Sequence, residues 1–135
     1  MNRYLLDTSA LIALREDEPG ADFVETILRQ SQQSKAEVFF SFMTGMEIFY
    51  TAWRALGKGE ALRLYLEIRM LPLRRIDLTE RLLLTAGEIK ANYPLSVADS
   101  WIAATALVQE ATLVHKDPEF EPLKDRISLK SLPYK

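Results

Sequence analysis

Short apolar runs suited to buried strands alternate with stretches of helical periodicity along this whole chain. Residues 3–6, 38–41, 73–76, 111–114 and 127–129 read as strands, because they are brief, apolar and rich in β-branched or aromatic residues. Between them, residues 9–14, 21–34, 43–56, 60–71, 80–92 and 97–110 carry apolar residues at helical spacing. Pro19-Gly20, Gly57 and Pro94 punctuate the helices, while Thr79 and Ser96 stand where caps belong. Strands that alternate with helices join most economically through crossovers, which makes them parallel. The expected fold is therefore α/β, a central parallel sheet of about five strands with helices on both faces. At 135 residues, with no linker or low-complexity tract, the chain suits one domain over residues 1–135.

In such sheets the ligand site lies beyond the carboxyl ends of the strands, at the topological switch point. The acids that follow strands are then the ones to collect. Asp7 directly follows the first strand, and Glu47 lies early in the helix after the second. Asp99 lies in the first turn of the helix begun by Ser96, and Asp117 follows the fourth strand. Parallel strands place all four on one edge of the sheet.

Each acid also has an ordinary structural reading. Asp7 can cap the helix that starts at Ser9. Ser96-x-x-Asp99 and Thr44-x-x-Glu47 both resemble capping boxes. Asp117 before Pro118 is common turn chemistry. Taken together, the four say more. Asp7 sits within Leu-Leu-Asp-Thr-Ser-Ala-Leu-Ile, apolar on both sides, and Asp99 within Val-Ala-Asp-Ser-Trp-Ile-Ala-Ala-Thr-Ala. The small residues Ala98, Ala103 and Ala106 let that helix approach the sheet closely and draw Asp99 inward. Converging buried carboxylates repel one another unless a cation neutralises them.

Other chemistries lack their residues. The chain has no cysteine, which excludes thiolate zinc sites and cysteine nucleophiles. Its single histidine, His115, excludes a three-His zinc site and a two-His acid–base ribonuclease. No Gly-x-Ser-x-Gly turn presents a serine, and the five glycines form neither a phosphate-binding loop nor a dinucleotide fingerprint. An all-oxygen site prefers Mg²⁺, or Mn²⁺, over zinc or copper. No run approaches the length of a membrane span, and Asp7, Thr8 and Ser9 interrupt the one N-terminal stretch that resembles a signal sequence. A cytoplasmic location is expected.

Residues 6–14, Leu-Asp-Thr-Ser-Ala-Leu-Ile-Ala-Leu, closely resemble the opening of PIN-domain proteins. Residues 96–106 resemble that family's second aspartate helix, and Thr44–Glu47 matches the place of its helical glutamate. The segment Leu113-Val114-His115-Lys116-Asp117-Pro118-Glu119-Phe120 resembles its fourth-acid segment. The likeness runs in order over nearly the whole chain, and its size and layout resemble the VapC type of toxin. The resemblance implies a Mg²⁺-dependent endoribonuclease acting on structured RNA, a homodimer, and inhibition by a small antitoxin protein in a type II toxin–antitoxin pair. It makes Asp7, Glu47, Asp99 and Asp117 the catalytic metal ligands, with Thr8 or Ser9 supporting the pocket. One departure is His115, where the family often has Thr or Ser. It is either a tolerated polar residue at a strand end or a group touching metal-bound water or phosphate.

Arg54, Lys58, Arg63, Arg69, Arg74 and Arg75 make the middle of the chain basic, which suits phosphate contacts or simply a solvated helix face. Phe42, Phe49, Tyr50 and Trp53 read as core or interface residues. The net charge of −2 marks no nucleic-acid-coating protein. Two other functions compete. A PIN-like domain that binds RNA without cutting it needs a missing acid, and none is missing. A receiver-like phospho-signalling module wants paired acids after its first strand, whereas Asp7 stands alone.

Overall fold

The computed structural model describes residues 1–134 and contains one five-stranded sheet with every neighbouring pair parallel. The strands are β1 (Asn2–Leu6), β2 (Ala36–Ser41), β3 (Arg74–Ile76), β4 (Thr112–His115) and β5 (Leu129–Ser131). The helices are α1 (Thr8–Arg15), α2 (Ala21–Gln32), α3 (Phe42–Leu56), α4 (Lys58–Arg69), α5 (Glu80–Asn92) and α6 (Val97–Val108). A short 3-10 helix, Pro118–Leu123, replaces the expected turn around Pro118. The α/β class and the parallel sheet agree with the sequence. The fifth strand lies two residues later than expected. Ile127 closes the 3-10 segment instead, with its N–H bonded to the Leu123 carbonyl, and its side chain is buried.

Strand order is β3-β2-β1-β4-β5. The chain builds outward from β1 to β2 and β3, then returns across to β4. The reversal falls between β1 and β4, so the crevice at their carboxyl ends is the switch point. Register locks the two strands there: Leu5 faces Leu113, Leu6 faces Val114, and the Asp7 N–H extends the ladder to the Val114 carbonyl at 3.0 Å.

The strands are apolar on both faces, as a covered parallel sheet requires. Leu5, Phe39 and Leu113 point to one side, where Leu82, Ala86 and Ile89 of α5 and Ile102 and Ala103 of α6 cover them. Leu6, Val38, Phe40 and Val114 point to the other, under Ala10 and Leu11 of α1 and Val24 and Ile27 of α2. Ala103, Ala104 and Ala106 are fully buried, so α6 lies close to the sheet as its small residues suggested.

Two connections depend on glycine. Gly57 joins α3 to α4 with φ +93°, and Gly20 caps α2 with φ +103°. A Cβ on Gly20 would lie 2.9 Å from that of Leu132, so both conformation and space demand glycine. At the end of β2 the fully buried Ser41 starts α3 by accepting the Met43 N–H at 3.0 Å. Ser41→Ala is expected to cost about 1 kcal/mol, read as a lowered urea midpoint at unchanged slope.

Candidate active site

The β1 and β4 ends carry the first pair of acids. β1 stops at Leu6 and Asp7 becomes the N-cap of α1, so its side chain is held at the strand–helix junction. One carboxylate oxygen accepts the Ser9 hydroxyl at 2.5 Å and the Ser9 N–H at 3.2 Å. The Ser9 hydroxyl in turn accepts the Lys116 N–H at 2.9 Å, which ties the end of β1 to the end of β4. The Lys116 ammonium reaches Glu18 at 3.2 Å with both side chains nearly buried, pinning the α1–α2 connection to the same corner. Thus Asp7 does cap a helix, as its ordinary reading held, and it is also buried at the switch point.

Glu47 comes to the pocket from α3. The Thr8 hydroxyl donates to its carboxylate at 2.7 Å and lies 3.1 Å from the Thr44 hydroxyl, which is fully buried. The capping-box reading of Thr44 and Glu47 is wrong, because Ser41 caps α3 and Thr44 already lies within the helix. Thr8→Val keeps the shape and removes the donor that orients Glu47. Losing a half-buried hydrogen bond to a carboxylate is expected to cost about 1.5 kcal/mol, read as a lowered urea midpoint at unchanged slope.

Asp99 enters from α6, where Ser96 caps the helix by accepting the Asp99 N–H at 3.1 Å. Asp117 follows β4 and caps the 3-10 helix by accepting the Glu119 N–H at 2.9 Å. Carboxylate oxygens of Asp99, Asp117 and Glu119 all lie within 4.8 Å of one another. Glu119 is the residue that sequence reasoning passed over. Its signal was the spacing Asp117-x-Glu119 directly after β4, which puts two acids on one tight turn.

The electrostatics of the pocket follow from this crowding. Burial pushes the Asp7 carboxyl up to about 6; the hydrogen bonds from Ser9 and Thr8 oppose this, and the nearby Glu47 charge adds to it. Burial and then the charges of Asp7 and Asp117 push Asp99 up to about 7, helped by a hydrogen bond shared with Glu119. Two acids that resist ionisation side by side mark a site short of positive charge. Carboxylate oxygens alone make up the donor set, which fits a hard divalent cation. The residues present therefore fit a Mg²⁺-type ion.

The remaining expectations sort as follows. His115 is fully buried at the end of β4, and burial lowers its pKa. Among the basic residues, Arg63 pairs with Glu60 and Glu67, and Arg75 with Asp77 and Tyr65. Phe42 packs edge-on to Trp101 with centroids 5.3 Å apart, whereas Tyr50 and Trp53 are exposed under Arg54 and Lys58. A hollow of about 460 Å³ lies between α1, α3 and α4. Its walls, including Leu11, Ile48, Leu64 and Ile68, are mostly apolar, with Arg15, Glu16, Thr51 and Glu67 also lining it, and it lacks the four acids. The acids gather elsewhere, at the switch point.

Comparison with known proteins gives one family match: the profile of the PIN domain matches residues 4–125. No curated protein matches the chain in sequence. Among solved structures, the DNA-bound VapBC of Salmonella typhimurium is similar, with TM-score 0.77 and 21% identity over 97% of this chain and 98% of that one. VapBC2 of Rickettsia felis, bound to a promoter DNA fragment, gives TM-score 0.76 and 19% identity over 97% and 99%. VapC20 of Mycobacterium tuberculosis, described as a Sarcin-Ricin loop cleaving toxin, gives TM-score 0.63 and 20% identity over 88% and 93%.

Proposed function

The chain belongs to the PIN domain family, and on that premise we propose that it is a Mg²⁺-dependent endoribonuclease, the toxin of a type II toxin–antitoxin pair. The observation that carries the reading is the convergence of Asp99, Asp117 and Glu119 within 4.8 Å, beside the buried Asp7, at the β1/β4 crevice. Asp7, Asp99 and Asp117, with Glu119, would hold the cation, and Glu47 would act from the α3 side. A bound divalent cation lowers the pKa of water and offsets charge on a phosphoryl oxygen, which is what phosphodiester hydrolysis needs. Mn²⁺ would serve with the same oxygen donors.

The chain's own residues supply position. Ser9 fixes one oxygen of Asp7 through its hydroxyl and its N–H. Thr8 turns Glu47 toward the crevice. The hydrogen bond between Asp99 and Glu119 gives the metal-free pocket a proton to release when a cation enters. No histidine base is required.

We read residues 1–135 as one nuclease domain. The likeness to VapBC complexes supports a small antitoxin protein as partner, and the family resemblance supports a homodimer. The proposed RNA substrate carries with it the expectation of a cytoplasmic location. Among the described residues, no helix is long and apolar enough to cross a membrane.

The test is incubation of purified protein with total RNA in Mg²⁺ or EDTA, beside Asp7→Asn. Cleavage is expected only for the unaltered chain in Mg²⁺. Equal cleavage by the variant would trace the activity to a contaminant and remove the nuclease reading.

A further inference from the structure

His115 is buried to 0% exposure, yet it is not a well-satisfied core residue. Its Nδ1 accepts the backbone N–H of Asp117 at 3.2 Å, which leaves the ring proton on Nε2. Nε2 has no hydrogen-bond partner among the described residues. The ring stands edge-on to Phe120 with centroids 5.3 Å apart, and the Tyr134 ring lies 6.2 Å away. A residue serving packing alone would be leucine or phenylalanine, because an unmet buried N–H costs free energy that an apolar side chain avoids. The compensating gain lies at Nδ1.

That bond acts where the backbone leaves the sheet. β4 ends at His115, and the 3-10 helix starts at Pro118. The imidazole catches the Asp117 N–H, and the Asp117 carboxylate catches the Glu119 N–H at 2.9 Å. Two local bonds in series thus set the path from His115 to Glu119. They deliver the Asp117 and Glu119 carboxylates to the space they share with Asp99. The strand itself is anchored on its far side, since the His115 carbonyl accepts the Leu132 N–H at 2.7 Å.

We propose that His115 is a positioning residue whose Nδ1 anchors the Asp117 amide and so presents Asp117 and Glu119 together to a divalent cation. The proposal rests on the reading of this cluster as a cation site. It makes the imidazole a substitute for a turn-forming hydroxyl or amide side chain, placed inside the core instead of on the turn.

Three variants separate anchoring from packing. His115→Asn puts an amide oxygen near the place of Nδ1. His115→Gln moves that oxygen toward Nε2, and His115→Leu fills the space with no acceptor. Two quantities are measured on the whole protein: hydrogen exchange of the Asp117 amide without metal, and Mg²⁺ affinity by calorimetry. His115→Leu and His115→Gln are expected to expose the Asp117 amide to faster exchange and to weaken Mg²⁺ by about tenfold or more. His115→Asn is expected to keep both near the original values. Wild-type exchange and affinity in His115→Leu would overturn the proposal, and so would an Asn variant as impaired as the Gln variant. If the Leu variant does not fold, the Asn–Gln contrast decides. A parent protein that binds no Mg²⁺ would remove the cation site itself, while the exchange contrast would still decide the anchor.

Discussion

Asp99→Asn is expected to cut Mg²⁺-dependent RNA cleavage by on the order of 10²–10³-fold, several kcal/mol of barrier, while raising the melting temperature of the metal-free protein. The two effects have one cause. Asp99 is half-buried, and its carboxyl is pushed up to about 7 by burial and by the charges of Asp7 and Asp117. At pH 8 its ionised form is an electrostatic burden on the fold. The amide removes that burden at nearly constant volume, a gain of about 1 kcal/mol once solvent screening is allowed for, or roughly 3 °C in a domain of this size. With metal present the same charge is what the cation needs, so activity falls. A site that gains stability when its ligand is removed is strained for function. Cleavage assays in Mg²⁺ and thermal melts in EDTA at pH 8 read the two effects. Unchanged cleavage, or a lower melting temperature in EDTA, would refute the account.

Stabilisation by Mg²⁺ is expected to be small near pH 5 and to grow to about 2–3 kcal/mol at pH 8 with the ion in hundredfold excess over its dissociation constant. The sign follows from proton counts. Asp7 and Asp99 rise from 3.8 in the unfolded chain to about 6 and about 7 in the fold. Above pH 4 the native state therefore binds more protons than the unfolded state, and stability falls as pH rises. The loss is complete only above about pH 7. His115 works the other way: its lowered pKa favours folding above its unfolded value and is lost as pH falls below it. Comparing melts with and without Mg²⁺ at each pH cancels most of that opposing contribution. A cation replaces the protons at the acids, so its effect must increase as those protons leave. Equal Mg²⁺ stabilisation at pH 5 and pH 8 would mean that the raised acids are not where the ion binds.

Much of this architecture was legible because its signals are local. A run such as Tyr4-Leu5-Leu6 followed at once by Asp7 and a helical stretch says that a buried strand turns directly into a helix, and the acid must lie at the joint. Apolar periodicity, with glycine, proline and caps, placed every α-helix end to within two residues. What stayed hidden was set by partners far apart in the chain. Thr44 looked like a cap because caps are read from neighbours, yet its hydroxyl meets Thr8 across the crevice, and Ser41 does the capping. Glu119 drew no reading from the sequence, and it is exposed, but the 3-10 turn swings it toward Asp99. The last strand slipped by two residues because Ile127, apolar enough for a strand, goes to the core from a turn. His115 was open to two readings, a polar residue at a strand end or a group touching metal-bound water or phosphate; its complete burial, beside Phe120 and Tyr134, is something no local pattern brings together.

The order of the strands has a bearing on how the chain is made. β1 is central, but its partner across the switch point, β4, starts at Thr112. The acids of the crevice come from residues 7, 47, 99, 117 and 119, spread over nearly the entire length. A nascent chain emerging from the ribosome thus carries Asp7 early but has no completed centre until the turn at Glu119 has cleared the exit and docked. If the product cuts RNA, the ribosome that makes it is shielded by translation order until that turn has docked. A fragment ending before β4 lacks Asp117 and Glu119 and so cannot assemble their cluster with Asp99.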